Sequence, residues 1–210
     1  MNALLLGATG LVGRECLDIL LADETYGSVH VLTRRPIDGL AGDPKAVEHV
    51  VDFDEFIVSG EMPAVDHVFC ALGTTMAKAK SKEAFRKVDY EYPLRIAEKA
   101  LVAGARHFIL VSSMSASPRS IFFYSRVKGE IEEAIGALGY PALTIIRPSV
   151  IDGDREEHRF GEELGRKLLR FAPRSIQPVH ARDIAAAMVN AARVDPIGKR
   201  VILSKAIPAA

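Results

Sequence analysis

Short apolar runs rich in β-branched residues recur along the chain, separated by longer stretches in which apolar positions return every three or four residues. Continuous or alternating apolar runs mark strands, and a 3.6-residue period marks amphipathic helices. The runs predict strands at Asn2–Leu6, Ser28–Thr33, His67–Ala71, His107–Ser112 and Leu143–Ile146, with a late one at Arg200–Leu203. The longer periods predict helices over Gly10–Ala22, Lys82–Ala103, Tyr124–Leu138, Gly161–Phe171 and Ala181–Arg193. Strands alternating with helices build right-handed β-α-β units, so the expected class is α/β with a doubly wound parallel sheet. Ile151–Pro178, dense in charge and turn residues, breaks the rhythm. In such a sheet a late excursion of this kind roofs the crevice at the carboxyl ends of the strands. Residues 1–210 are therefore read as one domain, with 151–178 as a substrate-side loop and helix.

The first strand runs directly into Gly7-Ala8-Thr9-Gly10-Leu11-Val12-Gly13, which opens an amphipathic helix. That context raises a glycine motif above an ordinary glycine-rich turn. Gly7 is expected to make the tight turn, Gly10 to let the backbone approach a pyrophosphate, and Gly13 to allow close helix–strand packing. The helix N-terminus adds amide donors and a favourable dipole for the anion. A dinucleotide is the implied ligand.

The end of the second strand bears on which dinucleotide. An NAD site places a carboxylate there, ~20 residues past the glycines, to hold the ribose 2′-hydroxyl. The equivalent stretch here is Thr33-Arg34-Arg35, with guanidiniums suited to a 2′-phosphate. The expectation is NADP, with NAD less favoured, against the alternative of a solvated arginine pair before Pro36. Further on, Asp52-Phe53 could flank an adenine, or Asp52 could cap a helix while Phe53 joins the core. Cys70-Ala71-Leu72-Gly73-Thr74-Thr75 offers small residues and hydroxyls where the middle of the cofactor would lie.

Tyr124 and Lys128 stand four residues apart in YSRVKGEIEEAI and so share one helix face. An ammonium beside a phenol favours the phenolate and equips the hydroxyl to exchange a proton with a carbonyl or alcohol oxygen. A surface Tyr–Lys pair is the alternative, but the dyad follows a glycine loop and the strand ending at Ser112-Ser113.

Composition narrows the field. Lysine plus arginine and aspartate plus glutamate both number 27, so no basic field exists to draw nucleic acid or an anionic membrane. No run approaches the ~20 apolar residues of a membrane span, and the apolar start lacks a basic n-region and stops at Gly7, so a cytoplasmic protein is expected. The two cysteines, Cys16 and Cys70, stand in unlike contexts and read as buried small apolar groups. The six histidines show no metal-ligand spacing, so no metal site is expected.

Taken together, GATGLVG, the VSS strand end, Tyr124-x-x-x-Lys128 and Arg147-Pro148-Ser149-Val150 resemble the short-chain dehydrogenase/reductase superfamily in its extended, epimerase-like branch. The string CALGTT…KVDYEYPLRIAEKA…RHFILVSS…FFYSRVKGEIE…IIRPSVI is similar to the Tat-interacting-protein-like group of NADPH-binding members, over roughly residues 1–193. The resemblance implies a Rossmann fold, with Tyr124 as general acid/base and Lys128 hydrogen-bonding the nicotinamide ribose. It also implies Ser113, or else Ser115, supporting the substrate oxygen, and Pro148 and Val150 flanking the nicotinamide carboxamide. Two departures stand out: Met114 falls where extended members carry Ser or Thr, and Asp89 falls where they usually carry Asn. The implied activity is oxidoreduction of a small carbonyl or alcohol. A non-catalytic NADPH-binding sensor or scaffold, and a sugar-nucleotide epimerase, are the alternatives. A small-molecule substrate is the expected partner, and a homodimer through helix packing is compatible with such folds.

Overall fold

The computed structural model describes residues 1–152, 177–194 and 197–207. Seven strands form one parallel sheet in the order β3-β2-β1-β4-β5-β6-β9. They are β1 (Asn2–Leu6), β2 (Ser28–Thr33), β3 (Ala46–Val50), β4 (His67–Cys70), β5 (His107–Val111), β6 (Ala142–Arg147) and β9 (Gly198–Leu203). A separate two-residue pairing joins β7 (Ile151–Asp152) to β8 (Val179–His180).

Side chains alternate across each strand, so every buried strand feeds two cores. Leu5, Val29, Val31, Phe69 and Ile109 face one side, where α1 (Leu11–Ala22) and α7 (Ala181–Val194) cover them. Leu4, Leu6, Val68, Phe108 and Leu110 face the other, under α2 (Phe53–Ser59), α5 (Tyr92–Val102) and α6 (Phe123–Gly136). The doubly wound parallel sheet expected from the alternation is the one observed.

The differences are local. The helix expected over Lys82–Ala103 is divided into α4 (Lys82–Arg86), a π-helical turn at Lys87–Glu91, and α5, which begins Tyr92-Pro93. Proline has no N–H to continue the preceding hydrogen-bond ladder, and wider turns are one way a helix accommodates such a residue. Strand β3 and helix α3 (Met76–Ala79) were not anticipated, and α2 was expected only under the second reading of Asp52, as a helix cap. The signal for α2 was present: Asp52 followed three residues later by Glu55 has the spacing of a capping box. The helix expected at Gly161–Phe171 lies outside the described residues.

β1 has β2 on one side and β4 on the other, so the order in which strands are added reverses between β1 and β4 while all stay parallel. The crevice beyond the carboxyl ends at such a switch is the binding position in doubly wound sheets.

Candidate active site

The glycine loop occupies that crevice. Gly7 has a φ of 84°, in the left-handed region, and a Cβ on it would stand 2.6 Å from the Ala71 carbonyl oxygen. The turn closes with Gly10 N–H donating to Gly7 O at 2.9 Å. A Cβ on Gly13 would lie 1.9 Å from that same Gly7 oxygen, so only glycine lets α1 start this close to β1. Ala8 and Val12 are buried and anchor the loop, Leu11 is half-buried, and Thr9 and Gly10 are exposed. No side chain caps α1 and no acidic residue stands in its first turn. The leading amides are thus offered outward without competition, and this cradle fits a pyrophosphate.

The end of β4 adjoins the loop through Ala71, with Leu72 half-buried and Gly73 exposed. Behind Gly73 lies a buried charge pair. Lys128 Nζ is 2.8 Å from Asp89 Oδ1, and the two side chains are 7% and 0% exposed. The contact is an ion pair by distance, while Oδ1 lacks the angles of an aligned hydrogen bond. Asp89 Oδ2 accepts from Thr74 N–H at 2.8 Å. Burial alone would push the Lys128 proton off, but the Asp89 carboxylate and then Tyr124 outweigh it and hold the ammonium above the usual lysine range.

One turn before Lys128 on α6, Tyr124 is 37% exposed and its ring lies 5.7 Å from that of Phe85. Ser113 follows the end of β5. Its Oγ is 3.1 Å from Ser115 Oγ, which accepts from Ser125 at 2.9 Å, the residue next to Tyr124. The two serines proposed from sequence thus belong to one hydroxyl chain that ends on α6. Met114, at the position of the missing hydroxyl, is exposed, and its N–H donates to Pro148 O at 2.9 Å. That bond joins the loop after β5 to the one after β6, where Pro148 is buried and Val150 exposed.

A feature not foreseen from sequence lies beneath. Glu132, four residues past Lys128 on the same helix face, is 3% exposed. It accepts from Ser112 Oγ at 2.5 Å and from Arg147 Nε and Nη2 at 3.0 and 2.5 Å. The spacing Tyr124–Lys128–Glu132 was the available signal, a phenol, an ammonium and a carboxylate along one stripe.

At the adenosine side, Arg34 and Arg35 are exposed just past β2, and Thr33 Oγ1 fixes the turn by donating to Arg35 O at 2.8 Å. Asp52 caps α2 by accepting from the N–H groups of Asp54 and Glu55 at 2.7 and 3.3 Å. Phe53 is 4% exposed in the core, packed on Tyr92 at 5.1 Å. Capping and packing, the second of their two readings, are the roles the structure shows.

A parallel sheet in this order, with a glycine cradle at its switch point, defines a dinucleotide-binding protein of the Rossmann type. The chain belongs to the NAD(P)H-binding family, whose model matches residues 7–195. It is 37% identical over 161 residues to "Protein FMP52, mitochondrial" of Debaryomyces hansenii, covering 75% of this chain and 70% of that one. It is 36% identical over 178 residues to HTATIP2 of Rattus norvegicus, covering 83% and 72%. That match accords with the Tat-interacting-protein-like resemblance. UDP-glucuronic acid 4-epimerase from Bacillus cereus in complex with NAD shares the fold at a TM-score of 0.76 and 18% identity, over 98% of this chain and 78% of that one. These relatives correct one expectation. Several fungal members are named as mitochondrial proteins, which overturns the expectation of a cytoplasmic protein. Among the described residues, no helix is long and apolar enough to cross a membrane.

Proposed function

We propose that the protein is an NADP(H)-dependent oxidoreductase acting on a small carbonyl or alcohol, with Tyr124 as the group that exchanges a proton with the substrate oxygen. The observation that carries this reading is the half-exposed phenol of Tyr124 one helical turn above a buried, charged Lys128, at the carboxyl edge of the sheet. The nicotinamide cofactor supplies or accepts the hydride when bound. Lys128 offsets the negative charge that develops on the tyrosine oxygen, and its remaining N–H groups suit a ribose hydroxyl. Ser113 donates to the substrate oxygen through a hydroxyl chain already ordered by Ser115 and Ser125. The Phe85 ring beside Tyr124, with Met114 and Val150 exposed on the two adjoining loops, favours a compact substrate with an apolar flank.

Two tests follow. Tyr124→Phe keeps the ring on Phe85 but removes the proton, so NADPH binding persists while turnover of a carbonyl panel falls by about 10³-fold or more. NADPH fluorescence titration and steady-state assay read the two separately. The NADP preference rests on Arg34 and Arg35, exposed where a 2′-phosphate would lie. Replacing both with Ser weakens NADPH by about 10- to 100-fold and leaves NADH nearly unchanged, as the loss of charge-assisted contacts requires.

A non-catalytic NADPH-binding sensor is the second reading, since the glycine cradle would bind a dinucleotide whether or not a substrate reacts. Tight NADPH binding without turnover of any carbonyl by the wild type would select it. The epimerase reading draws on neighbours solved with UDP-sugars and NAD. Tightly bound NAD in the purified protein, with UDP-sugar binding, would select that one.

A further inference from the structure

We propose that Asp89 sets the relative affinity of the site for the two redox forms of its cofactor, by cancelling the charge of Lys128. This rests on the NADP(H) reading above.

The pair is placed for that role. Asp89 sits in the π-helical turn at Lys87–Glu91, and its carboxylate is buried and held from two sides, by Lys128 Nζ at 2.8 Å and by Thr74 N–H at 2.8 Å. Exposed Gly73 lies against it. A Cβ on Gly73 would come within 3.2 Å of Asp89 Oδ1 and 3.6 Å of Lys128 Nζ. Charges buried this shallowly beneath a binding surface are weakly screened by solvent and act on whatever lies above them. Two other titratable groups act on the pair, Tyr124 and Cys70; burial pushes the Cys70 thiol up to about 11, so it stays neutral.

An oxidised nicotinamide ring carries a positive charge that the reduced ring lacks. A lone ammonium at Lys128 would repel the oxidised form and leave the reduced form indifferent. With Asp89 opposite, the buried pair is neutral overall, and the two forms bind with comparable strength. A protein that turns over must admit one form and release the other in every cycle, whereas a sensor of redox state gains from discriminating between them. Asp89 is a positioning residue, acting on the cofactor through Lys128.

The test is a ratio of dissociation constants, Kd for NADP+ over Kd for NADPH, measured by calorimetry and nicotinamide fluorescence. Asp89→Asn keeps the shape and an acceptor for Thr74 but leaves the ammonium uncompensated. At the lowest pH the fold tolerates, where Lys128 retains its proton, the ratio rises about tenfold, the order expected of one uncompensated unit charge acting across partly screened protein. That corresponds to a shift of about 30 mV in the potential of the bound two-electron couple. Lys128→Met, measured at the highest pH the fold tolerates so that the buried carboxylate keeps its charge, moves the ratio the other way, which keeps the test decisive should Asp89→Asn fail to fold. A purely structural role for Asp89 changes both constants in proportion and leaves the ratio where it was. If wild type binds both forms and neither variant moves the ratio, this proposal falls while the cofactor reading stands. If wild type binds neither form, both fall.

Discussion

Glu132 accepts three hydrogen bonds from two segments that end strands β5 and β6, so one buried carboxylate on α6 fixes the helix bearing Tyr124 and Lys128 against the loops bearing Ser113 and Pro148. Removing one partner of such a group leaves the other without compensation. Glu132→Leu is expected to lower stability by about 2–4 kcal/mol, because Ser112 loses its acceptor and Arg147 its counter-charge. Urea unfolding at an unchanged m-value measures it. Glu132→Leu combined with Arg147→Met should recover much of the loss, since replacing both partners removes the unpaired charge. At this scale the sequence was legible where chemistry and spacing coincide. Gly7, Gly10, Gly13, Tyr124 and Lys128 all stand where their motifs require. Glu132 was not legible because KGEIEE carries three glutamates, and only packing tells the buried one from its neighbours. The partner of Asp89 was hidden for another reason: 39 residues of sequence separate it from Lys128, and their meeting depends on how a π-turn crosses α6.

Among the elements, strands β1 and β2 match their expected bounds because continuous apolar runs between turn residues leave little choice of register. Strand β3 was missed because Ala46–Val50 is only half-buried at the sheet edge and its apolar signal is diluted by Glu48 and His49. That edge carries its own sensitivity to pH. His30 of β2 and His49 of β3 stack with ring centroids 5.2 Å apart and share a 2.9 Å bond between Nδ1 and Nε2. Both imidazoles lie below the ordinary 6.5, His30 through burial and then the charge of His49, His49 through burial. With depressed values in the fold, the unfolded chain takes up protons first. The stability contributed by the pair is therefore present above about pH 6.5 and lost as pH falls through that value. His49→Gln should flatten the fall in unfolding midpoint between about pH 5 and 8, and an unchanged slope would remove the pair from the account.

Across the whole molecule, every strand of the main sheet contributes its carboxyl end to one edge, which is how a chain with no net charge and no metal cluster among its described residues still concentrates its polar chemistry. The two cysteines report on the integrity of that sheet. Cys16 and Cys70 are fully buried in opposite cores, with burial raising both thiols. Neither should react with a disulfide reagent at neutral pH in the native protein, and both should react together on unfolding. Early labelling of one alone would reveal that its half of the core opens independently.

The two-residue pairing of β7 with β8 has a further meaning. Ile151 meets Val179 and Asp152 meets His180, while Ser149 Oγ donates to Gln177 O. The chain leaving the site and the chain returning to it are thus stapled side by side. With the ends tied, the entropy of closing the intervening stretch grows only as the logarithm of its length, about 0.6 kcal/mol for each doubling. A change in the number of residues between the tied ends therefore adds little to the cost of holding the register of the sheet. The staple thereby insulates the seven-stranded sheet from the length of chain that leaves after β7 and returns at β8.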